Sequence, residues 1–441
     1  MRKKLALLAG KIILKASKIL QRGGGSAAPG LYSLQIDPNL VSKLAGQIPQ
    51  NIVITGTNGK TTTSRILTQL LTAQGLSVMS NSTGSNLERG IASTLIGQAS
   101  LSGKIQKDIG IWELDEAAFN NVIFSLKPQI IVFLNVFRDQ LDRYGEVDTI
   151  VKKWKETLFK IGWEPLVLIN GNDGHLVPLV DETEHAESFF VQNYGLKWEK
   201  VVKKSDSKKL ITAKIVKNLG LKGSRIKVFL GQAILNFDLP MPGLYHIYDF
   251  LAALSVYYSL NLPLQNVNKI IQDYSPAFGR VEKLRLGKGE GYIFLIKNPA
   301  GATAVFETIA SELKKGDRLL IALNDNFADG TDVSWIWDAE FEKLAAAPRP
   351  TRSRSDARDL VGPKLICSGK RADDLAVRLK YAGIDTSQIE VIPDLKDAFT
   401  KSQKNLKNSR VFILPTYTAL LSLQNILAQA GLKKAYWKES V

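Results

Sequence analysis

Short apolar runs separated by longer amphipathic stretches recur along most of the chain. The first set stands at 51–54, 77–79, 109–114, 129–134 and 165–169, with helical spacing between, most clearly over 61–74 and 147–161. Runs this short and unalternating suit strands buried on both faces. Helices between consecutive strands imply parallel pairing. The pattern predicts an α/β sheet, parallel and covered by helices on both faces. From about 190 to 240 the character changes. Val201 to Lys209 is rich in lysine and serine, and Ile226–Leu230 with Ala233–Phe237 reads as a pair of antiparallel strands, an insertion in the first domain. Helical spacing returns over 247–260. A second α/β block begins near Val281, with apolar runs at 292–296, 318–323, 364–367, 389–392 and 410–414, and reads as a second doubly wound sheet. Pro348 to Ser355 breaks the pattern with prolines and basic residues and reads as a solvated loop. No internal repeat is visible.

At the N-terminus, Leu8, Ile12, Lys15 and Ile19 mark helical spacing with lysines interleaved, and Gly23-Gly24-Gly25-Ser26 follows. The run is too short to span a bilayer. It suits an amphipathic helix on an anionic membrane, or a helix packed on the protein's own body with its lysines in water.

Composition bounds the rest. A chain of 441 residues exceeds one ordinary core, so two or three domains are expected. The formal charge of +16 points to nucleic acid, an anionic membrane or a polyanionic substrate. With no aromatic RNA-binding motif or zinc finger, nucleic acid is not expected. The single cysteine, Cys367, rules out an intrachain disulfide and Cys₄ or Cys₂His₂ zinc. It lies in Lys364-Leu365-Ile366-Cys367-Ser368 with no evident base, and reads as a small buried hydrophobe at the end of a strand.

The most informative stretch follows the run at 51–54: Thr55-Gly56-Thr57-Asn58-Gly59-Lys60-Thr61-Thr62-Thr63. A glycine-rich turn between a buried strand and a helix directs backbone N–H groups and the helix dipole at one point. Lys60 adds a full charge, and the Thr61 hydroxyl can ligate a metal. The expected ligand is a nucleoside triphosphate with Mg²⁺, held by Gly56, Thr57, Asn58, Gly59, Lys60, Thr61 and Thr62. Two residues, rather than four, separate the glycines, a departure from the general phosphate-loop pattern. The bland reading is a tight turn with a solvated lysine. Ile111-Trp112-Glu113-Leu114-Asp115-Glu116 ends a strand in carboxylates, and ligands collect at the carboxyl ends of parallel strands. Glu113 is expected to hold Mg²⁺, with Asp115 partly structural as a helix cap. Asn135 to Gly145 is a polar loop at another strand's carboxyl end.

The loop at 55–62, the strand end at Glu113 and Asp139-Gln140-Leu141-Asp142-Arg143-Tyr144-Gly145 together resemble the central domain of the Mur ligases. Those enzymes activate a carboxylate with ATP as an acyl phosphate and transfer it to an amine. Further motifs narrow the resemblance to the MurT family, the ligase-like subunits of lipid II isoglutaminyl synthase. They are Lys297-Asn298-Pro299-Ala300-Gly301, the segment from Leu323 to Asp338, Arg138 to Arg143, and Pro415-Thr416-Tyr417-Thr418. The resemblance covers nearly the whole chain. It implies three regions: a basic helix and linker (1–44), an ATP-binding central domain (45–275) and a C-terminal α/β domain (276–441). It implies amidation of the D-glutamate α-carboxylate of lipid II, with ammonia supplied by a GatD-type glutaminase partner. The expected place is the cytoplasm, at the inner face of the membrane. Asp332 matches the aspartate that completes the partner's glutaminase triad; read alone it suits a helix cap near Ser334, and Trp335 and Trp337 suit an interface. Four departures are visible. Gln140 stands where many Mur ligases have histidine, Asp249 and His246 stand where asparagines are usual near the nucleotide, and the middle domain lacks the four cysteines of a zinc ribbon. The 190–240 stretch is therefore expected to form a shorter, metal-free hairpin. Arg280 suits a phosphate contact or a structural ion pair. An amino-acid-adding ligase of Mur or folylpolyglutamate type, and a nucleotide-binding scaffold without activity, are the competing readings.

Overall fold

A computed structural model describes residues 1–19, 27–81, 85–137, 147–182, 186–191, 211–274, 280–345, 363–404, 406 and 409–433. Two sheets organise these residues. The first has nine strands: β1 (Gln50–Thr55), β2 (Val78–Ser80), β3 (Ile109–Leu114), β4 (Ile130–Phe133), β5 (Leu166–Asn170), β6 (Ala186–Val191), β7 (Ile211–Asn218), β8 (Ser224–Leu230) and β9 (Ala233–Leu239). Their order across the sheet is β2-β3-β1-β4-β5-β6-β7-β8-β9. From β2 to β7 every pairing is parallel, and β8 and β9 add on antiparallel.

The central strands are buried along nearly their whole length, as continuous apolar runs require. Helices Lys60–Thr72 and Leu244–Ser259 cover one face through Ile66, Leu70, Phe250 and Leu254. The other face packs under helices Glu88–Gln98, Glu116–Leu126 and Val147–Lys160. There Phe119, Phe133 and Trp154 pack edge-on or tilted, with ring centroids 5.0–6.1 Å apart.

The hairpin at 224–239 is present, closed by Gly231 at φ +56°, which the two-residue turn favours. Its outer partner β7 joins it to β6, so the hairpin continues the main sheet instead of standing apart from it. Residues 192–210, including the lysine- and serine-rich run, lie outside the described residues.

The second sheet has six strands: β10 (Arg280–Leu286), β11 (Gly289–Phe294), β12 (Arg318–Ala322), β13 (Lys364–Ser368), β14 (Ile389–Val391) and β15 (Arg410–Pro415). Their order is β10-β11-β15-β12-β13-β14; only β10 runs antiparallel to its neighbour. The sheet is therefore a mixed one, parallel but for an edge hairpin.

Helix Arg2–Ile19 packs on the body of the protein. Ala6 and Leu7 are buried, and the Ser33 hydroxyl donates to Ala6 O at 2.9 Å. Among the described residues no helix is long and apolar enough to cross a membrane.

Candidate active site

The phosphate loop leaves the carboxyl end of β1 in the middle of the first sheet. Gly56 and Gly59 adopt φ +135° and +91°, where side chains are strained. A Cβ on Gly56 would strike the Asn135 carbonyl, and one on Gly59 would strike the Asp249 carboxylate. The loop thus threads between the segment after β4 and helix Leu244–Ser259. Asn135 clamps it: Thr57 N donates to Asn135 O (3.0 Å), Asn58 N to Asn135 Oδ1 (2.8 Å), and Asn135 Nδ2 to Asn58 O (3.0 Å). Two of the loop amides, those of Thr57 and Asn58, are thus committed to Asn135. The first-turn amides of helix Lys60–Thr72 form the positive end of its dipole. Lys60 is buried and folded back on the loop. Its Nζ donates to Gly56 O and, at 3.4 Å, to Thr57 O, and lies 3.5 Å from Glu116 Oε2.

The three carboxylates at the carboxyl end of β3 have separate tasks. Glu113 is buried, and its Oε2 accepts from Thr61 Oγ1 at 2.8 Å. Asn81 holds the Glu113 backbone on both sides, accepting from its N–H and donating to its carbonyl. Asp115 caps helix Glu116–Leu126 by accepting from Ala117 N. Glu116 faces Lys60. Among the described residues no cluster of three or more His, Cys, Asp or Glu side chains is placed to bind a metal. A hydroxyl and one carboxylate beside a phosphate loop form the hard, sparse oxygen set that suits Mg²⁺, which takes its remaining ligands from phosphates and water.

Beside the loop lies a cavity of about 380 Å³ bounded by both sheets' helices and loops. Tyr245, Tyr248 and Asp249 line one side, and Lys297, Gly301 and Ala304 the other. Asn58, which lines it, exchanges side-chain amide bonds with Asn298 at 3.0 and 3.2 Å. Lys297 Nζ donates to Thr57 O at 3.4 Å. Asn298 also caps helix Pro299–Ala310 by accepting from Gly301 N, and Pro299 opens that helix with its fixed φ. Two helix N-termini therefore converge on the loop, an arrangement suited to an anion. Asp173 lines the same cavity. Burial pushes its carboxyl above the usual range, although the N–H groups of Val136 and His175 donate to it. His246, by contrast, is buried with Nδ1 2.7 Å from Pro242 O. Arg280 opens β10, but its side chain and residues 138–146 lie outside the described set.

Sequence reasoning did not single out Lys297, Asn298 or Asp173 for the site. The signal for the first two was Asn-Pro directly after an apolar run, a helix cap at a strand's carboxyl end.

Asp332 sits elsewhere, beyond the carboxyl end of β12. It is exposed, and its Oδ1 accepts from Ser334 N at 2.8 Å ahead of the short helix Trp335–Asp338. Asp329, buried beneath the same loop, accepts from Thr418 N (2.7 Å) and Thr418 Oγ1 (2.5 Å). The tryptophan pair divides: Trp335 is buried in the core, so only Trp337, 51% exposed, is left to face a partner, and Phe327 nearby in sequence is 82% exposed. Cys367 is buried on β13, and burial pushes its thiol up to about 12, which suits an inert hydrophobe.

Comparison with known proteins agrees with this geometry. The Mur ligase middle domain matches residues 54–257, and the MurT ligase C-terminal domain matches residues 295–420. MurF from Acinetobacter baumannii superposes with a TM-score of 0.66 at 13% identity, covering 91% of this chain and 80% of its own. Folylpolyglutamate synthase from Mycobacterium tuberculosis, solved with ADP and AMPPCP, gives 0.63 at 14% identity over 97% of this chain and 100% of its own. These likenesses establish the Mur ligase fold. The MurT subunit of lipid II isoglutaminyl synthase (glutamine-hydrolyzing) from Staphylococcus aureus strain COL is 30% identical over 95% of this chain and 96% of its own length. Its counterpart from Streptococcus pneumoniae R6 is 29% identical over 96% of each. The chain belongs to the MurT family. That membership makes it an ATP-dependent ligase of peptidoglycan synthesis; the relatives themselves are named as subunits of a synthase.

Proposed function

We propose that the protein uses ATP to activate the α-carboxylate of D-glutamate in the lipid II stem peptide, and that ammonia from a GatD-type glutaminase subunit converts it to D-isoglutamine. The substrate carboxylate oxygen attacks the γ-phosphorus and the bond to ADP breaks. Ammonia then attacks the acyl carbon, phosphate leaves, and the nitrogen loses a proton to give the amide. Carboxylates are poor electrophiles, and phosphorylation turns one oxygen into a leaving group. Lys60 and the first-turn amides are assigned to the charge that develops on the transferred phosphoryl group. Thr61 and Glu113 are assigned to Mg²⁺, which would neutralise phosphate charge. Tyr245, Tyr248 and Asp249 are assigned to the nucleoside side of the cavity, where the Asp249 carboxylate can accept from an amino group but not donate. Arg280 is retained as a phosphate contact. With a lipid-linked substrate, the reaction belongs at the inner face of the membrane.

The observation that carries this reading is the exposed Asp332 on a ligase chain. A carboxylate outside the ATP site has no task in acyl-phosphate chemistry, but it can orient a partner's histidine. The exposed Trp337 offers that partner a rigid anchor.

The test is amidation of lipid II with ATP, comparing ammonium, glutamine, and glutamine with the glutaminase subunit. Lys60→Ala should lower all turnover on the order of 10²-fold or more. Asp332→Asn should remove glutamine hydrolysis and spare amidation from ammonium. Surviving glutamine hydrolysis would sink the triad assignment. Incorporation of an amino acid in place of ammonia would favour an ordinary ligase.

A further inference from the structure

Helix Arg2–Ile19 has two faces with different surroundings. Ala6, Leu7 and Gly10 face the body of the protein, and a Cβ on Gly10 would strike Ser33 and Ile96. Opposite them, Leu5, Leu8 and Ile12 are 58, 52 and 60% exposed. At roughly 100° per residue these three fall within about 60° of one another and about 180° from Gly10. They form an aliphatic stripe pointing away from the fold. Lys4, Lys11 and Lys15 lie along one edge of it, and none of the three is buried. The charge is one-sided: Arg2, Lys3, Lys4, Lys11, Lys15, Lys18 and Arg22 fall within the first 36 residues, which contain no Asp or Glu. The first acid, Asp37, is buried and paired with Lys43 at 2.8 Å.

We propose that this face is an in-plane docking surface for an anionic lipid bilayer. The stripe would enter the boundary between headgroups and acyl chains. The lysine stems would lie along it, with the ammonium groups among lipid phosphates. The residue types favour lipid over protein. Protein interfaces concentrate Trp, Tyr and Arg at their centres and are depleted in lysine, whereas this stripe is aliphatic and edged by lysines. The helix is held to the fold by its other face, through Ser33 to Ala6 O and Lys3 Nζ to Gly103 O (3.2 Å), so lipid contact needs no unfolding.

Lipid binding is independent of the reaction catalysed, and the test keeps the two apart by omitting lipid II and nucleotide. The full-length chain is sedimented with vesicles of phosphatidylcholine containing one part in about three of phosphatidylglycerol, and with phosphatidylcholine alone. Anionic vesicles should bind it at least about tenfold more tightly than neutral ones, and less as salt rises. The combined change Leu5→Ser, Leu8→Ser and Ile12→Ser, and separately Lys4→Gln, Lys11→Gln and Lys15→Gln, should each weaken binding about tenfold or more, with the melting temperature and ATP binding retained. A fluorophore on Leu8→Cys supplies a reading that no multiple substitution can confuse, and should shift to the blue on adding anionic vesicles. The proposal is overturned if the wild-type chain ignores anionic vesicles or if the serine variant binds them as well. It is equally overturned if the stripe is consumed by protein, seen as a lipid-free dimer that the serine variant abolishes, or as a fluorophore shift caused by the glutaminase subunit.

Discussion

At the residue scale, the site depends on what two glycines leave out. Gly59 sits at φ +91° with the Asp249 carboxylate where a Cβ would be. Gly59→Ala should therefore cost on the order of 1–3 kcal/mol in strain and weaken ATP binding. Adding Asp249→Ala should recover part of the stability, because the collision goes while the positive φ stays. Thermal melts of the single and double variants check this, and an unshifted melt for Gly59→Ala would refute it. The glycines and Lys60 were legible in the sequence, since their spacing after an apolar run is the signal itself. The division of labour among Glu113, Asp115 and Glu116 was legible only in part. Consecutive residues at a strand end point in different directions, and direction depends on where the helix that follows begins.

At the scale of elements, the loop carrying Asp332 is fastened from below. The Thr418 hydroxyl accepts from Asn324 Nδ2 (2.9 Å) and Asn326 Nδ2 (2.7 Å) and donates to Asp329. This ties the segment after β12 to helix Tyr417–Gln429 after β15, two neighbouring strands. Asp329→Ala would leave the Thr418 N–H without its carboxylate acceptor, at about 1–3 kcal/mol. On the proposed reading, glutamine-dependent amidation should fall several-fold more than ammonium-dependent amidation, as the loop loses its hold on Asp332. Equal losses in the two assays would mean the loop serves the ligase site instead. The parallel strands were readable as apolar runs because burial on both faces leaves no room for polar residues. β6 and β7 were not, because no comparable apolar run marks them.

At the scale of the whole molecule, the cavity beside the phosphate loop exists because two sheets' loops meet. Asn58 and Asn298 are 240 positions apart and bind each other side chain to side chain. Asn58→Ala removes only this tie, whereas Asn298→Ala also removes the cap of helix Pro299–Ala310, worth about 1 kcal/mol. Both should weaken nucleotide binding, by similar factors of a few-fold, and Asn298→Ala should lower the melting temperature more; calorimetric titration and thermal melts together read this out. Identical melting temperatures would remove the cap from the account. The chain's own sequence determined the order of elements, the phosphate loop and the family, because these are written in local periodicity and contiguous motifs. Only the tertiary structure decided that Lys297 and Asp173 line one cavity beside the loop while Asn298 ties to Asn58, that Trp335 is core while Trp337 is surface, and that Leu5, Leu8 and Ile12 point away from the fold. Periodicity states which residues share a face; what lies against that face is set by contacts between segments far apart in the chain, and no local pattern records them.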